Sequence, residues 1–307
     1  MDTSPSTTSH QRLATLAGFG AIGLWSTTVA IVRSLSEQVG AATGMAAVFG
    51  LAGVIALASL LRTQGKARAL FSLPPKYLLG CGALFVGYML VLFIAIGMVR
   101  TRQEVLEVGL LNYLWPTLTL VASICLLGRK ARWWFVPATL LALAGVFLVF
   151  TAGSGLSWAS FGKNLAANPV AYSLALGAAI SWALYSVLTC KWIANASAGG
   201  VPLFLLLTGV VLFAFSFSTD EPSRWSLRTV AEILFMGVAT AIAYGLWDFS
   251  MRRGKVVLVA AGSYLTPLLS TLVSCLYLGV VPDNRLWVGC AVLMLGSVLS
   301  WKAMVED

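Results

Sequence analysis

The sequence predicts an all-α integral membrane protein: ten transmembrane helices arranged as two inverted repeats of five, with both termini cytoplasmic. Three observations carry that prediction. Hydrophobic residues make up 59% of the 307-residue chain and charged residues 10%, with a mean hydropathy of +0.89, far from the composition of a soluble domain. The apolar runs recur at about 20 residues, the length that crosses a hydrocarbon core of ~30 Å. One stretch also occurs twice: Leu110–Gly128, LLNYLWPTLTLVASICLLG, and Ala261–Gly279, AGSYLTPLLSTLVSCLYLG, lie 151 residues apart. They match without a gap at Tyr113/Tyr264, Leu114/Leu265, Pro116/Pro267, Leu118/Leu269, Ser123/Ser274, Leu127/Leu278 and Gly128/Gly279.

In chain order, residues 1–11 are rich in Ser, Thr and Pro and too polar to pack, so a disordered cytoplasmic tail is expected. The tail lacks the basic start of a secretion signal, and the apolar run after it is longer than a signal's, so the first span is expected to stay in the membrane. Spans are predicted over 13–34, 41–61, 77–99, 104–127, 133–151, 169–191, 200–217, 229–250, 256–280 and 285–303. The first five form a repeat over 12–151, the last five a repeat over 169–307. Between them, residues 152–168, AGSGLSWASFGKNLAAN, read as a Gly/Ser-rich periplasmic linker. An odd number of spans per repeat forces the second copy to enter from the opposite side. Gly145 and Gly296 stand at the same 151-residue offset. Gly40-x-x-x-Gly44 in the second span fits close helix packing within the fold, and a monomer is expected.

Assigning the connections alternately to two sides places thirteen of the twenty Lys and Arg on one side, Arg62, Lys66, Arg129, Lys130, Lys191 and Arg252 among them, while most acidic residues fall on the other. The positive-inside rule makes the first side cytoplasmic. The net charge of +9 is therefore topological, and its spread through short loops gives no basic face for nucleic acid.

The repeated Tyr-Leu-x-Pro has physical consequences. Proline has no N–H for the carbonyl four residues back and its ring pushes that carbonyl aside, so Pro116 and Pro267 are read as helix kinks that free the carbonyls of Asn112 and Ser263. Such groups must be satisfied by neighbours, water or a ligand. One reading is that a Ser or Thr of an adjacent helix satisfies them. The other is a binding site, as in carriers with interrupted helices at corresponding places in two repeats.

Tryptophan placement bears on the same choice. Seven of the eleven, Trp133, Trp134, Trp158, Trp192, Trp225, Trp287 and Trp301, fall at or beyond predicted helix ends, where an interfacial belt accounts for them. Trp25, Trp115 and Trp182 sit near mid-membrane, with Trp247 within a turn of the inner end of its span. A buried indole N–H wants a partner, met either by helix packing against a carbonyl or by a wet pocket. Trp25 and Trp182 hold matching places in the two repeats, which favours the pocket. Tyr113, Tyr185, Tyr244 and Tyr264 can add hydroxyls, and Tyr88 is a weaker candidate.

These residues carry a family resemblance. The ten-span layout, the inverted duplication and the paired Tyr-Leu-x-Pro segments closing on Leu-Gly resemble the drug/metabolite transporter superfamily, EamA type, over nearly the whole chain outside the tail. Within it, NYLWPTLTL (Asn112–Leu120), GLWST (Gly23–Thr27) and WALYS (Trp182–Ser186) look like the aromatic amino-acid exporters of bacterial inner membranes. The resemblance implies export of amino acids, aromatic ones among them, by alternating access through a cavity built by spans 1–4 and 6–9. The expected partners are then an amino-acid substrate and the lipid bilayer. The acceptors of Asn112 and Ser263 would take the ammonium, aided by cation–π attraction, and Trp25, Tyr113, Trp115, Trp182, Tyr185, Tyr244 and Tyr264 would face the side chain and carboxylate. A carrier of other metabolites or drugs, or a proton-coupled one, is the alternative.

Several classes are disfavoured. Proton-coupled carriers usually keep a carboxylate at mid-depth, and none is found: Glu104, Glu107 and Glu232 lie near outer helix ends, and Asp248 pairs by spacing with Arg252. Facilitated diffusion or exchange is the expected mechanism. The single histidine, His10, allows neither a His-based triad nor a multi-His metal site. Cys81, Cys125, Cys190, Cys275 and Cys290 show no C-x-x-C spacing and read as buried thiols. No phosphate-binding loop occurs. An enzyme is not expected, nor is a cofactor or a metal.

Overall fold

The structure is a computed structural model and describes residues 5–63, 68–70, 72–99, 101–151, 158–194, 196–278 and 284–305. The chain runs α1 (Pro5–Val39), α2 (Ala41–Leu61), α3 (Pro75–Met98), α4 (Arg102–Asn112), α5 (Trp115–Leu127), β1 (Lys130–Ala131), α6 (Phe135–Thr151) and α7 (Trp158–Ala167). It continues through α8 (Pro169–Ile193), α9 (Val201–Ser216), α10 (Leu227–Arg253), α11 (Val256–Gly262), α12 (Leu265–Leu278), α13 (Asn284–Ala303) and β2 (Met304–Val305). Among the described residues, six segments are long and apolar enough to cross a bilayer: Ala41–Leu61, Pro75–Met98, Gln103–Leu127 counted across its break, Pro169–Ile193, Leu227–Arg253 and Leu286–Ala303. Shorter apolar helices cover Phe135–Val149, Val201–Ser216 and Val256–Ser270.

Three local expectations are modified. Helix α1 begins at Pro5, inside the stretch expected to be disordered, because proline in a first turn gives up no bond and presets the helical φ; residues 1–4 lie outside the described residues. Residues 158–167 of the expected linker form α7, where Trp158-Ala-Ser-Phe and Leu165-Ala-Ala outweigh the glycines; residues 152–157 lie outside the described residues. The predicted kinked spans 104–127 and 256–280 are interrupted outright, at Tyr113–Leu114 and Ser263–Tyr264. Pro116 and Pro267 stand in the first turns of α5 and α12, where the missing N–H has no intrahelical acceptor to lose, so each begins a helix instead of bending one.

The chain divides into two compact units. The first comprises Met1–Val86 and Leu188–Val256. In it α2 packs on α9 and α10, and α1 on α10. Gly40 precedes α2 with φ +87°, and a Cβ there would meet Glu221 at 2.2–2.4 Å. The Glu221 carboxylate accepts the Ala42 and Thr43 N–H groups at 2.7 and 2.8 Å, satisfying donors at the positive end of the helix. Gly40 therefore serves the capping turn, while Gly44 of the same motif lies against α1, where a Cβ would meet Leu35 and Val39 at 3.3 and 3.5 Å. Nearby, Glu232 accepts from Ser34, Gln38 and Arg228 at 2.9, 2.9 and 2.8 Å, tying α1 to α10.

The second unit comprises Gly87–Val187 and Val257–Asp307. Its core gathers Leu120, Ala142, Val146, Tyr264 and Leu293 between α5, α6, α12 and α13. A Cβ on Gly145 would fall 2.3 Å from the Leu293 backbone and one on Gly296 2.2 Å from that of Ala142. The glycines related by the 151-residue offset thus let α6 and α13 touch backbone to backbone, each from its own side. Strands β1 and β2 pair antiparallel, Lys130 opposite Val305 and Ala131 opposite Met304.

Candidate functional site

Helix α4 starts with a reciprocal capping box between Thr101 and Glu104, a fixed beginning, and ends on Asn112 at the first break. The Asn112 Nδ2 donates to the Tyr88 hydroxyl at 3.4 Å, while its Oδ1 is buried with no hydrogen-bond partner. Whichever way the amide is turned, one of its ends meets Tyr88 and the other has no mate. A buried polar atom left in that state costs about 1–3 kcal/mol, so the position is primed for a ligand group.

The Tyr88 ring that meets this amide belongs to an aromatic cluster centred on Trp182. Trp182 lies 5.1 Å from Tyr88, 5.1 Å from Tyr185 and 6.3 Å from Trp115, the last pair nearly perpendicular at 86°. These are favourable separations for ring pairs. Trp182, Trp115 and Tyr185 are 3%, 5% and 0% exposed. The second unit therefore unites five residues named from the sequence, Asn112, Trp115, Trp182, Tyr185 and the weaker candidate Tyr88, around one indole.

The second break is built differently. The Ser263 hydroxyl donates to the Ala260 carbonyl at 2.6 Å, and the Ser263 carbonyl, expected to be free, accepts the Thr266 N–H at 3.0 Å. Ser297 of α13 donates to the Ala261 carbonyl at 2.6 Å. Tyr264 is fully buried with its hydroxyl 2.5 Å from that of Thr117, bridging α12 to α5, and half-buried Tyr113 packs on the same core. At this break the neighbouring helix meets one carbonyl and local donors meet two, while the Thr266 Oγ1 in the first turn of α12 is buried with no hydrogen-bond partner; the two segments that look equivalent in sequence differ in which polar atom is left over.

Trp25 and Tyr244 lie in the first unit. The Trp25 ring is 5.3 Å from Tyr244 and 5.1 Å from Trp247, and Tyr244 also meets Phe85 at 5.1 Å and Phe49 at 5.9 Å. Phe49 and Phe85 escaped the sequence reading because a phenylalanine in an apolar run carries no polar signal. Asp248 and Arg252 form the ion pair that their spacing predicts, at 2.8 Å. Among the described residues no group of three His, Cys, Asp or Glu could hold a metal ion.

The EamA-like transporter family matches the sequence over residues 12–151 and 169–302. The aromatic amino acid exporter YddG of Salmonella typhimurium is 35% identical over 291 residues, 94% of this chain and 97% of that protein. The protein of the same name from Escherichia coli has the same identity and coverage. A crystal structure 30% identical in sequence superposes with a TM-score of 0.79 over 94% of this chain and 95% of its own.

Proposed function

Because the chain belongs to the EamA-like transporter family, we propose that it exports amino acids, aromatic ones included, from the cytoplasm across the bacterial inner membrane. It is a multi-pass membrane transporter, not an enzyme. The observation that carries the substrate class is the buried, unpartnered Oδ1 of Asn112, whose amide meets Tyr88, a ring packed in turn on Trp182 with Tyr185 and Trp115. An α-ammonium supplies the donor that this oxygen lacks, and cation–π attraction adds to it. A flat side chain stacks on indole and phenol faces, while indole N–H and phenol O–H groups are suited to the carboxylate.

Alternating access follows from the family's duplicated architecture, in which two similar halves exchange conformations and so switch the side that a site faces. The cation distribution supports ten spans with both termini cytoplasmic, and facilitated diffusion by a monomer is the simplest mechanism for these residues. The test is uptake of radiolabelled tryptophan, phenylalanine, threonine and putrescine into proteoliposomes. Saturable aromatic uptake is expected. Trp182→Ala and Trp115→Ala should raise the KM for tryptophan about tenfold or more, the loss of one buried ring contact, with a smaller effect on threonine. Equal losses for both substrates would remove the stacking role.

A further inference from the structure

Glu107 was placed near a helix end by the sequence, yet it is completely buried. Its carboxylate is held by neutral donors. The Tyr172 hydroxyl of α8 bonds Oε2, the Asn164 amide of α7 reaches Oε1 and Oε2 at 3.2 and 3.1 Å, and Gln103, one turn earlier on α4, donates at 3.4 Å. Gln103 is itself tied to Ser160 of α7 at 2.6 Å. Among the described residues no ion pair engages Glu107. A buried carboxylate persists only where several well-placed hydrogen bonds replace its hydration, and here they come from three helices.

We propose that Glu107 is a positioning residue for the substrate site, setting the axial register of α4 against α8; the inference rests on the amino-acid export reading. Helix α4 stops at Asn112, so no continuous helix carries its placement through the break. From Glu107 to Asn112 is about 7.5 Å along α4, and from Tyr172 to Trp182 about 15 Å along α8, at 1.5 Å per residue. Between these levels Val108 of α4, Ala95 of α3 and Ala175 of α8 pack as a fully buried cluster. The small side chains of that layer resist sliding weakly. The Glu107–Tyr172 bond is directional, and it fixes the height at which Trp115 meets Trp182 and at which Asn112 meets Tyr88. A shift of one ångström there moves the Asn112 oxygen out of hydrogen-bond range.

The test is tryptophan uptake into proteoliposomes by the full chain and by Glu107→Ala, Glu107→Gln, Tyr172→Phe and the Glu107→Ala/Tyr172→Phe double variant. KM and Vmax are measured per folded transporter. Glu107→Ala and Tyr172→Phe are each expected to raise KM about fivefold or more, the worth of one net hydrogen bond, with Vmax changed by less than about twofold. The double variant should be no worse than the poorer single one, because both remove the same bond. Glu107→Gln keeps an acceptor for Tyr172 and should stay near the parent KM. A parental KM in folded Tyr172→Phe, or penalties that add in the double variant, overturns the proposal. If Glu107→Ala does not fold, Tyr172→Phe decides, since it removes only a hydroxyl. Absence of saturable tryptophan uptake by the parent chain would instead overturn the export reading itself.

Discussion

Asp248 and Arg252 sit one helical turn apart on α10 with side chains 5% and 7% exposed, so both charges are out of water. Oδ2 accepts the Arg252 Nε at 2.8 Å, Oδ1 has no partner, and the Arg252 Nη1 donates to the Ala196 carbonyl beyond the end of α8 at 2.7 Å. Removing either partner leaves an uncompensated buried charge. Asp248→Ala or Arg252→Ala should therefore destabilise by about 3–5 kcal/mol, while replacing both by apolar residues of similar volume should cost far less. Melting in detergent checks this: a double Asp248→Leu/Arg252→Met variant that melts below both single variants would contradict it. The i, i+4 spacing made the pair legible in the sequence. The Ala196 carbonyl was not, because the turn that presents it is 52 residues away along the chain from Asp248.

Helices meet in this protein where side chains are absent. A side chain on Gly296 would enter the backbone of α6 at 2.2–2.8 Å, and backbone cannot swing aside as a flexible side chain can. Gly296→Leu should force α6 and α13 apart and destabilise by about 1–3 kcal/mol or more. Gly177→Ala on α8 meets nothing within 4 Å and should be neutral or slightly stabilising, by up to about 1 kcal/mol, through helix propensity. Thermal melts of the two variants side by side check both signs. The breaks follow a different rule. Pro116 and Pro267 each open a helix, yet the oxygen left without a partner is the Asn112 amide at one break and the Thr266 hydroxyl at the other, where Ser297 takes the Ala261 carbonyl. Identity between the repeats is greatest where the backbone turns, and chemistry diverges in the residues beside the turn.

At the scale of the molecule, each compact unit draws segments from both halves of the sequence, and among the described residues each holds a buried carboxylate. Asp248 in the first unit is matched by an arginine; Glu107 in the second is matched by hydrogen bonds alone. Both carboxylates are already engaged, one by Arg252 and the other by Asn164 and Tyr172, so aromatic uptake is expected to proceed at the same rate with and without an imposed pH gradient. Uptake that requires the gradient would replace facilitated transport by proton coupling and point first to these two residues.

The sequence by itself determined what periodicity and composition encode: a membrane-embedded helical chain, the duplication, and the positions where proline interrupts helices. Hydrophobic run length and the missing proline N–H are local properties, readable without a fold. Only the tertiary structure decided which acceptors at the breaks find donors, that Trp25 packs on Tyr244 and Trp115 on Trp182, and that Glu107 is buried. Those outcomes depend on hydrogen-bond partners contributed by distant segments: Ser297 for Ala261, and Asn164 and Tyr172 for Glu107. Whether a polar atom is satisfied is a property of the neighbours that folding brings to it.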